Sequence, residues 1–151
     1  MNNTKTIHAV LGAAMAGALL LTACGTSPGP AGSSSRMTPL SGSAEVPPVS
    51  TPASGNAETS YNKDTKILRW TISYANLSAA ATGGHFHGPA MPGSNAPVVV
   101  PFNGSLASPI TGMAMLSEGQ AADFLAGRWY VNLHTAANPG GEIRGQVSPG
   151  Y

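Results

Sequence analysis

The sequence predicts an all-β domain, a sandwich or barrel of short strands with one short helix near 117–126. Three observations predict it. Short runs alternate apolar and polar residues, the period of a half-buried strand. Turn residues separate those runs, and thirteen prolines and nineteen glycines suit many short strands better than helices. Only one stretch carries helix punctuation.

The chain opens with a segment that is not part of that domain. In residues 1–24, MNNTKTIHAVLGAAMAGALLLTAC, Lys5 supplies a short positive region. Ala9 to Leu21 then form an apolar run too short to span a bilayer comfortably. The run ends in Leu21-Thr22-Ala23-Cys24, which resembles the lipobox of bacterial lipoproteins. The resemblance implies a signal peptide over 1–23, cleavage before Cys24 and lipidation of that cysteine. Gly25 follows instead of the aspartate tied to inner-membrane retention, so the expected location is the cell envelope, at the outer membrane or outer surface. Residues 24–36 then read as the lipidated cysteine and a Gly/Ser/Pro-rich tether.

Cys24 is the only cysteine, so the folded part has no disulfide and no thiolate chemistry. Without Lys5 the chain carries six basic and six acidic side chains and is formally neutral. That balance offers no basic patch for nucleic acid. Low charge with ample aliphatic residues also argues against disorder.

Residues 37–151 are long enough for one domain with its own core. Candidate strands are 38–46, 55–61, 66–74, 82–87, 97–102, 110–116, 128–134 and 142–148. In 66–74, Leu68, Trp70, Ile72 and Tyr74 share one face, with Arg69, Thr71 and Ser73 on the other. The turn Asn62-Lys63-Asp64-Thr65 joins this strand to the one before it. For the helix, Ser117 as N-cap and Gln120 three later form a capping box, and Gly127 closes it after Phe124-Leu125. The turn Asn138-Pro139-Gly140-Gly141 makes 128–134 and 142–148 a hairpin.

Parity along these strands places the histidines. Trp129, Val131 and Leu133 point to the core, so His134 shares the other face with Tyr130 and Asn132. Ile143, Gly145 and Val147 point in, while Glu142, Arg144 and Gln146 point out. In GGHFHG (83–88), Phe86 opposes His85 and His87. With His8 in the signal segment, all three remaining histidines are expected on the outer surface. Imidazoles at i and i+2 on a strand have Cβ atoms roughly 6–7 Å apart and can reach one ion. A third imidazole from a neighbouring strand makes a three-nitrogen site suited to copper, with zinc as the alternative. Extracytoplasmic placement and the lack of thiolates favour copper. Met91, Met113 and Met115 are candidate thioether ligands for Cu(I), though methionine more often fills core gaps. Glu45, Glu142, Tyr130 and Asn132 are candidates for supporting the ligands. The alternative is that the histidines are hydrogen-bonded surface residues or contact a partner.

Several stretches together resemble the CHRD domain, named after chordin. They are Leu40-Ser41-Gly42 with Glu45-Val46-Pro47-Pro48, GGHFHGPA, Leu116-Ser117 with Phe124-Leu125-Ala126-Gly127, and YVNLHTAANPGGEIRGQ. The likeness covers 37–151 and implies an immunoglobulin-like, Greek-key β-sandwich or barrel, distantly similar to copper/zinc superoxide dismutase. Those enzymes carry His-x-His on a strand, a later histidine, and an arginine that steers substrate. His85, His87, His134 and Arg144 stand in that order here. The bridging histidine, the zinc ligands and the disulfide are missing, so the likeness implies at most a copper-only site. Three functions follow as expectations: a copper-binding envelope lipoprotein, a superoxide dismutase-like redox enzyme using Arg144, or a metal-free adhesion module.

Overall fold

The computed structural model describes Met1 and residues 33–148. The lipobox, Cys24 and most of the tether therefore lie outside the described residues. Eight strands, one helix and a short 3-10 turn make up the domain. They are β1 (Ser33–Ser41), the turn Gly42–Ala44, β2 (Ser54–Asn62), β3 (Ile67–Ala75), β4 (Ala81–His87), β5 (Val98–Pro101), β6 (Ile110–Met115), α1 (Glu118–Leu125), β7 (Tyr130–Thr135) and β8 (Ile143–Gln146). The all-β expectation with one short helix is met.

All eight strands belong to one antiparallel sheet, in the order β5-β4-β7-β8-β1-β2-β3-β6. The sheet curls into a nearly closed barrel. Its end strands β5 and β6 flank a cleft of about 330 Å³, lined by Val99, Val100 and Phe102 on one side and Gly112 to Met115 on the other. A barrel is thus realised instead of two packed sheets, and the seam between β5 and β6 is where it stays open.

The alternation read from the sequence builds the interior. Leu68, Trp70 and Ile72 are buried while Arg69 and Ser73 between and after them are exposed. Phe86, Val131, Leu133 and Ile143 are each fully buried. Each such side chain contributes roughly 1.5–3 kcal/mol by leaving water. Aromatic rings run through this core: Trp70 meets Phe86 edge-on at 5.3 Å, and Phe86 approaches Trp129 at 6.1 Å. Trp129 then meets Phe124 of α1 at 5.6 Å. The helix reaches the core because its cap forms as expected. Ser117 Oγ accepts from the Gln120 amide, and Gln120 Oε1 accepts from the Ser117 amide. Gly127 ends it with a φ of +70°, a left-handed turn that glycine enters without a Cβ penalty.

Most strand ends fall within one or two residues of the sequence reading, and the first strand differs most. The first strand runs from Ser33 to Ser41, not over 38–46. At Gly42 the backbone leaves the sheet and passes so close to the Val49 carbonyl that a Cβ would lie 2.3 Å from it, an approach only glycine allows. Pro47 and Pro48 also lack the amide protons that a continued strand would need. Residues 42–53 instead form a loop that folds over the outside of the sheet, tied to a second loop, 88–97, where Asn95 Nδ2 donates to the Val46 carbonyl. These two loops cover the outer face of β4, β7 and β8.

Candidate metal centre

The histidine-bearing strands β4 and β7 are neighbours. Their register pairs Gly83 with His134, His85 with Asn132, and His87 with Tyr130. All these side chains point away from the core, as parity predicts, so one row of the sheet's outer face gathers three imidazoles. The first glycine of GGHFHG contributes by its smallness. A Cβ on Gly83 would lie 3.3 Å from the His85 ring and 3.6 Å from the His134 ring.

One donor nitrogen from each of His85, His87 and His134 falls within 4.8 Å of the others. His85 Nδ1 and His134 Nε2 are 3.1 Å apart. Two further ring nitrogens are anchored by backbone carbonyls. His134 Nδ1 donates to the Pro139 carbonyl at 2.9 Å, and His87 Nδ1 donates to the Ala96 carbonyl at 2.9 Å. A carbonyl only accepts, so each bond fixes the proton on Nδ1 and leaves the neutral ring's lone pair on Nε2. His87 Nε2 is buried and has no hydrogen-bond partner.

The outer-face expectation holds for direction but needs correcting for exposure. His87 is only 8% exposed, while His85 and His134 are partly covered. Tyr130, Asn132, Glu142 and Arg144, expected to point outward into solvent, are all buried. The loops 42–53 and 88–97 supply the cover. His87 stacks flat on Tyr130, with centroids 4.7 Å apart and planes 1° from parallel. The Arg144 guanidinium carbon sits 3.4 Å from the centre of the Tyr130 ring. Because β4 and β8 flank β7 on opposite sides, Tyr130 lies between the imidazole and the guanidinium.

Burial disfavours the charged form of two of the rings. Burial pulls the His85 pKa below the ordinary imidazole value, helped by His134 and His87 beside it. Burial likewise lowers His87, against the opposing pull of the Ala96 carbonyl. Neutral imidazole is the form that binds a metal ion.

The other predicted residues fall in different places. Arg144 faces Asn132 across the β7–β8 ladder, not His134. Its Nη1 donates to Asn95 Oδ1 at 2.9 Å and its Nη2 to the Ser94 carbonyl at 2.7 Å. Glu142 does not neutralise it. That carboxylate accepts from the Ser78 amide, Ser78 Oγ, Thr135 Oγ1 and Thr51 Oγ1, at 2.6–2.9 Å. Burial alone would raise its pKa, but these four bonds outweigh it and bring it to about 2. Arg144's charge is felt instead by Glu45, whose pKa burial pushes up to about 7 against that attraction. Met91 is exposed on the loop 88–97. Met113 and Met115 lie exposed on β6, the far edge of the sheet, where the Met113 sulfur accepts from Arg69 Nη1 at 3.3 Å.

Sequence reasoning missed the carbonyls of Ala96 and Pro139, which set two tautomers. Backbone groups leave no trace in side-chain type, although the Asn-Pro-Gly-Gly turn marked where one would be. It named Glu45 as a candidate support but put its segment in the first strand, over 38–46, instead of in a loop over the sheet. The Glu45-Val46-Pro47-Pro48 run, which cannot extend a strand, was the available signal that this segment folds back over the sheet.

The architecture defines a class of small, single-sheet β-barrel domain with a half-covered histidine cluster on its outer face. Residues 37–147 match the CHRD domain, and the chain belongs to that family. No match was found among curated proteins or among solved structures.

Proposed function

We propose that this CHRD domain binds one copper ion through His85, His87 and His134, as the folded part of a lipid-anchored protein of the bacterial cell envelope. The observation that carries the reading is the convergence of three ring nitrogens within 4.8 Å, one of them buried without a partner. An ion held about 2.0–2.1 Å from each nitrogen needs them roughly 3.3–4.1 Å apart, so small ring rotations close the site. An all-nitrogen set suits copper or zinc. Copper fits the envelope location and the lack of thiolates better, and zinc is the alternative the same titration detects.

The reading is binding, not turnover. A superoxide dismutase-like role would need a cation free to draw an anion towards the metal. Arg144 is 2% exposed, has both terminal nitrogens engaged and lies against Tyr130. It is a structural cation here. The neutral mature chain supplies no long-range field to replace it.

The test is Cu(II) titration of the 33–148 domain followed by electron paramagnetic resonance. Wild-type protein is expected to bind one equivalent with nitrogen hyperfine structure, and the His85→Ala/His87→Ala/His134→Ala variant to lose it. Absence of nitrogen-ligated copper in the wild type, or its persistence in the variant, overturns the assignment. The anchor rests on Leu21-Thr22-Ala23-Cys24 and is tested separately. Cys24→Ala protein should move from the membrane to the soluble fraction, and unchanged fractionation removes the lipid from the reading. Among the described residues, no helix is long and apolar enough to cross a membrane.

A further inference from the structure

The three histidines do not exhaust the lone pairs that meet at this point. Asn132 lies opposite His85 on the adjoining strand, on the same outer face, and is 3% exposed. Its Oδ1 is 3.1 Å from His134 Nε2. With Nδ1 of that ring bonded to the Pro139 carbonyl, Nε2 is the nitrogen His134 offers to an ion. The Asn132 oxygen thus lies beside the point where the ring nitrogens converge.

The other end of the amide faces a covering loop. Its Nδ2 lies on the Glu45 side, where a Cβ built on Gly141 would fall 2.8 Å from Nδ2 and 2.4 Å from Glu45 Oε1. The Asn132 amide pulls the Glu45 pKa down, against the rise that burial causes. The orientation with Oδ1 towards the rings therefore places Nδ2 beside a buried carboxyl on a different element.

Resting on the copper reading above, we propose that Asn132 is a fourth protein ligand, donating its amide oxygen to the ion held by His85, His87 and His134. Glu45 is then a positioning residue, acting through the amide it holds. The resulting three-nitrogen, one-oxygen set has a consequence for oxidation state. A carbonyl oxygen is a hard donor that adds to Cu(II) and little to the softer Cu(I). The site accordingly takes the oxidised ion, and removing the amide narrows the gap between the two states.

The experiment compares Cu(II) and Cu(I) affinities of wild-type and Asn132→Ala protein by competition with chelators of each ion. Asn132→Ala is expected to weaken Cu(II) by about 10–100-fold, with Cu(I) altered less than about threefold. Because a buried asparagine can matter to folding, a second measurement leaves the sequence intact. Wild-type protein labelled with ¹³C-asparagine and loaded with Cu(II) should show a ¹³C coupling in pulsed electron paramagnetic resonance. That coupling should survive in Asn95→Ala protein, which removes the asparagine of the covering loop. Nitrogen-ligated copper with no ¹³C coupling and unchanged affinity in Asn132→Ala overturns the fourth ligand while leaving the histidine site standing. Equal losses for both ions without the coupling do the same. Wild-type protein that binds no copper overturns both.

Discussion

The two halves of the sheet obey one alternation rule and come to opposite ends. On β1, β2, β3 and β6 the outward positions Ser35, Glu58, Arg69, Ser73 and Met113 are exposed. On β4, β7 and β8 the outward positions His87, Tyr130, Asn132 and Arg144 are buried. The strands do not differ in geometry; the loops do. Residues 42–53 and 88–97 lie over one half and leave the other bare. An outer face is therefore only a direction. Whether it meets water depends on what the rest of the chain lays across it, and a covered polar face must satisfy its groups internally. That is why one half holds a chain of partners, Ser94–Arg144–Tyr130–His87–Ala96, and the other holds scattered polar side chains.

Substituting Arg144 tests this contrast most severely. Arg144→Ala should cost about 3–5 kcal/mol, since it strands the Ser94 carbonyl, Asn95 Oδ1 and the buried Glu45. Arg69→Ala on the bare half should stay within about 0.5 kcal/mol. Urea unfolding of both variants checks the pair, and similar costs would dissolve the distinction.

Glu142→Ala comes next, at about 2–3 kcal/mol near neutral pH, because it leaves two threonines and a serine without their acceptor. Its pH signature is distinct. The folded-state pKa of about 2 is below the usual 4.5, so this stabilisation is complete above pH 4.5 and fades as pH falls towards 2. A wild-type denaturation series from pH 6 to 2 should show the loss, and Glu142→Gln should flatten it.

Glu45 has the opposite sign and a smaller effect. Its pKa is raised to about 7, so the folded state holds a proton that the unfolded chain releases near 4.5. Stability should fall as pH rises from 4.5 to 7, by about 1–2 kcal/mol, and Glu45→Gln should remove the decline. The lowered His85 and His87 give the opposite slope below 6.5, so the Glu45 effect is read as the difference between wild type and Glu45→Gln, and parallel profiles would overturn it.

The features with a local period could be read from the sequence. Leu68, Trp70 and Ile72 reach the core because a strand's side chains alternate whatever surrounds them, and the Ser117/Gln120 box is written within four residues. The same period put His85, His87 and His134 on one face. Their burial could not be read, nor could the pairing of Arg144 with Glu45 instead of Glu142. Those depend on where two proline-containing loops lie, and contacts spanning some fifty to a hundred residues have no local signature. Arg144 and Glu142 alternate with Ile143 on the same face, yet the register sends one towards Asn132 and the other towards Ser78 and Thr135.

β4 and β7 are neighbours in space, but His87 and His134 stand nearly fifty positions apart along the chain. An ion bridging them would close that long loop as a covalent staple does, and the unfolded chain would lose the freedom of everything between. For a permanent link of this span the entropic gain is on the order of 4 kcal/mol. A domain with no cysteine among its described residues would thus have a reversible cross-link, put in by loading the metal and taken out by a chelator. Its resistance to unfolding and to proteases would then follow the copper supply of its surroundings.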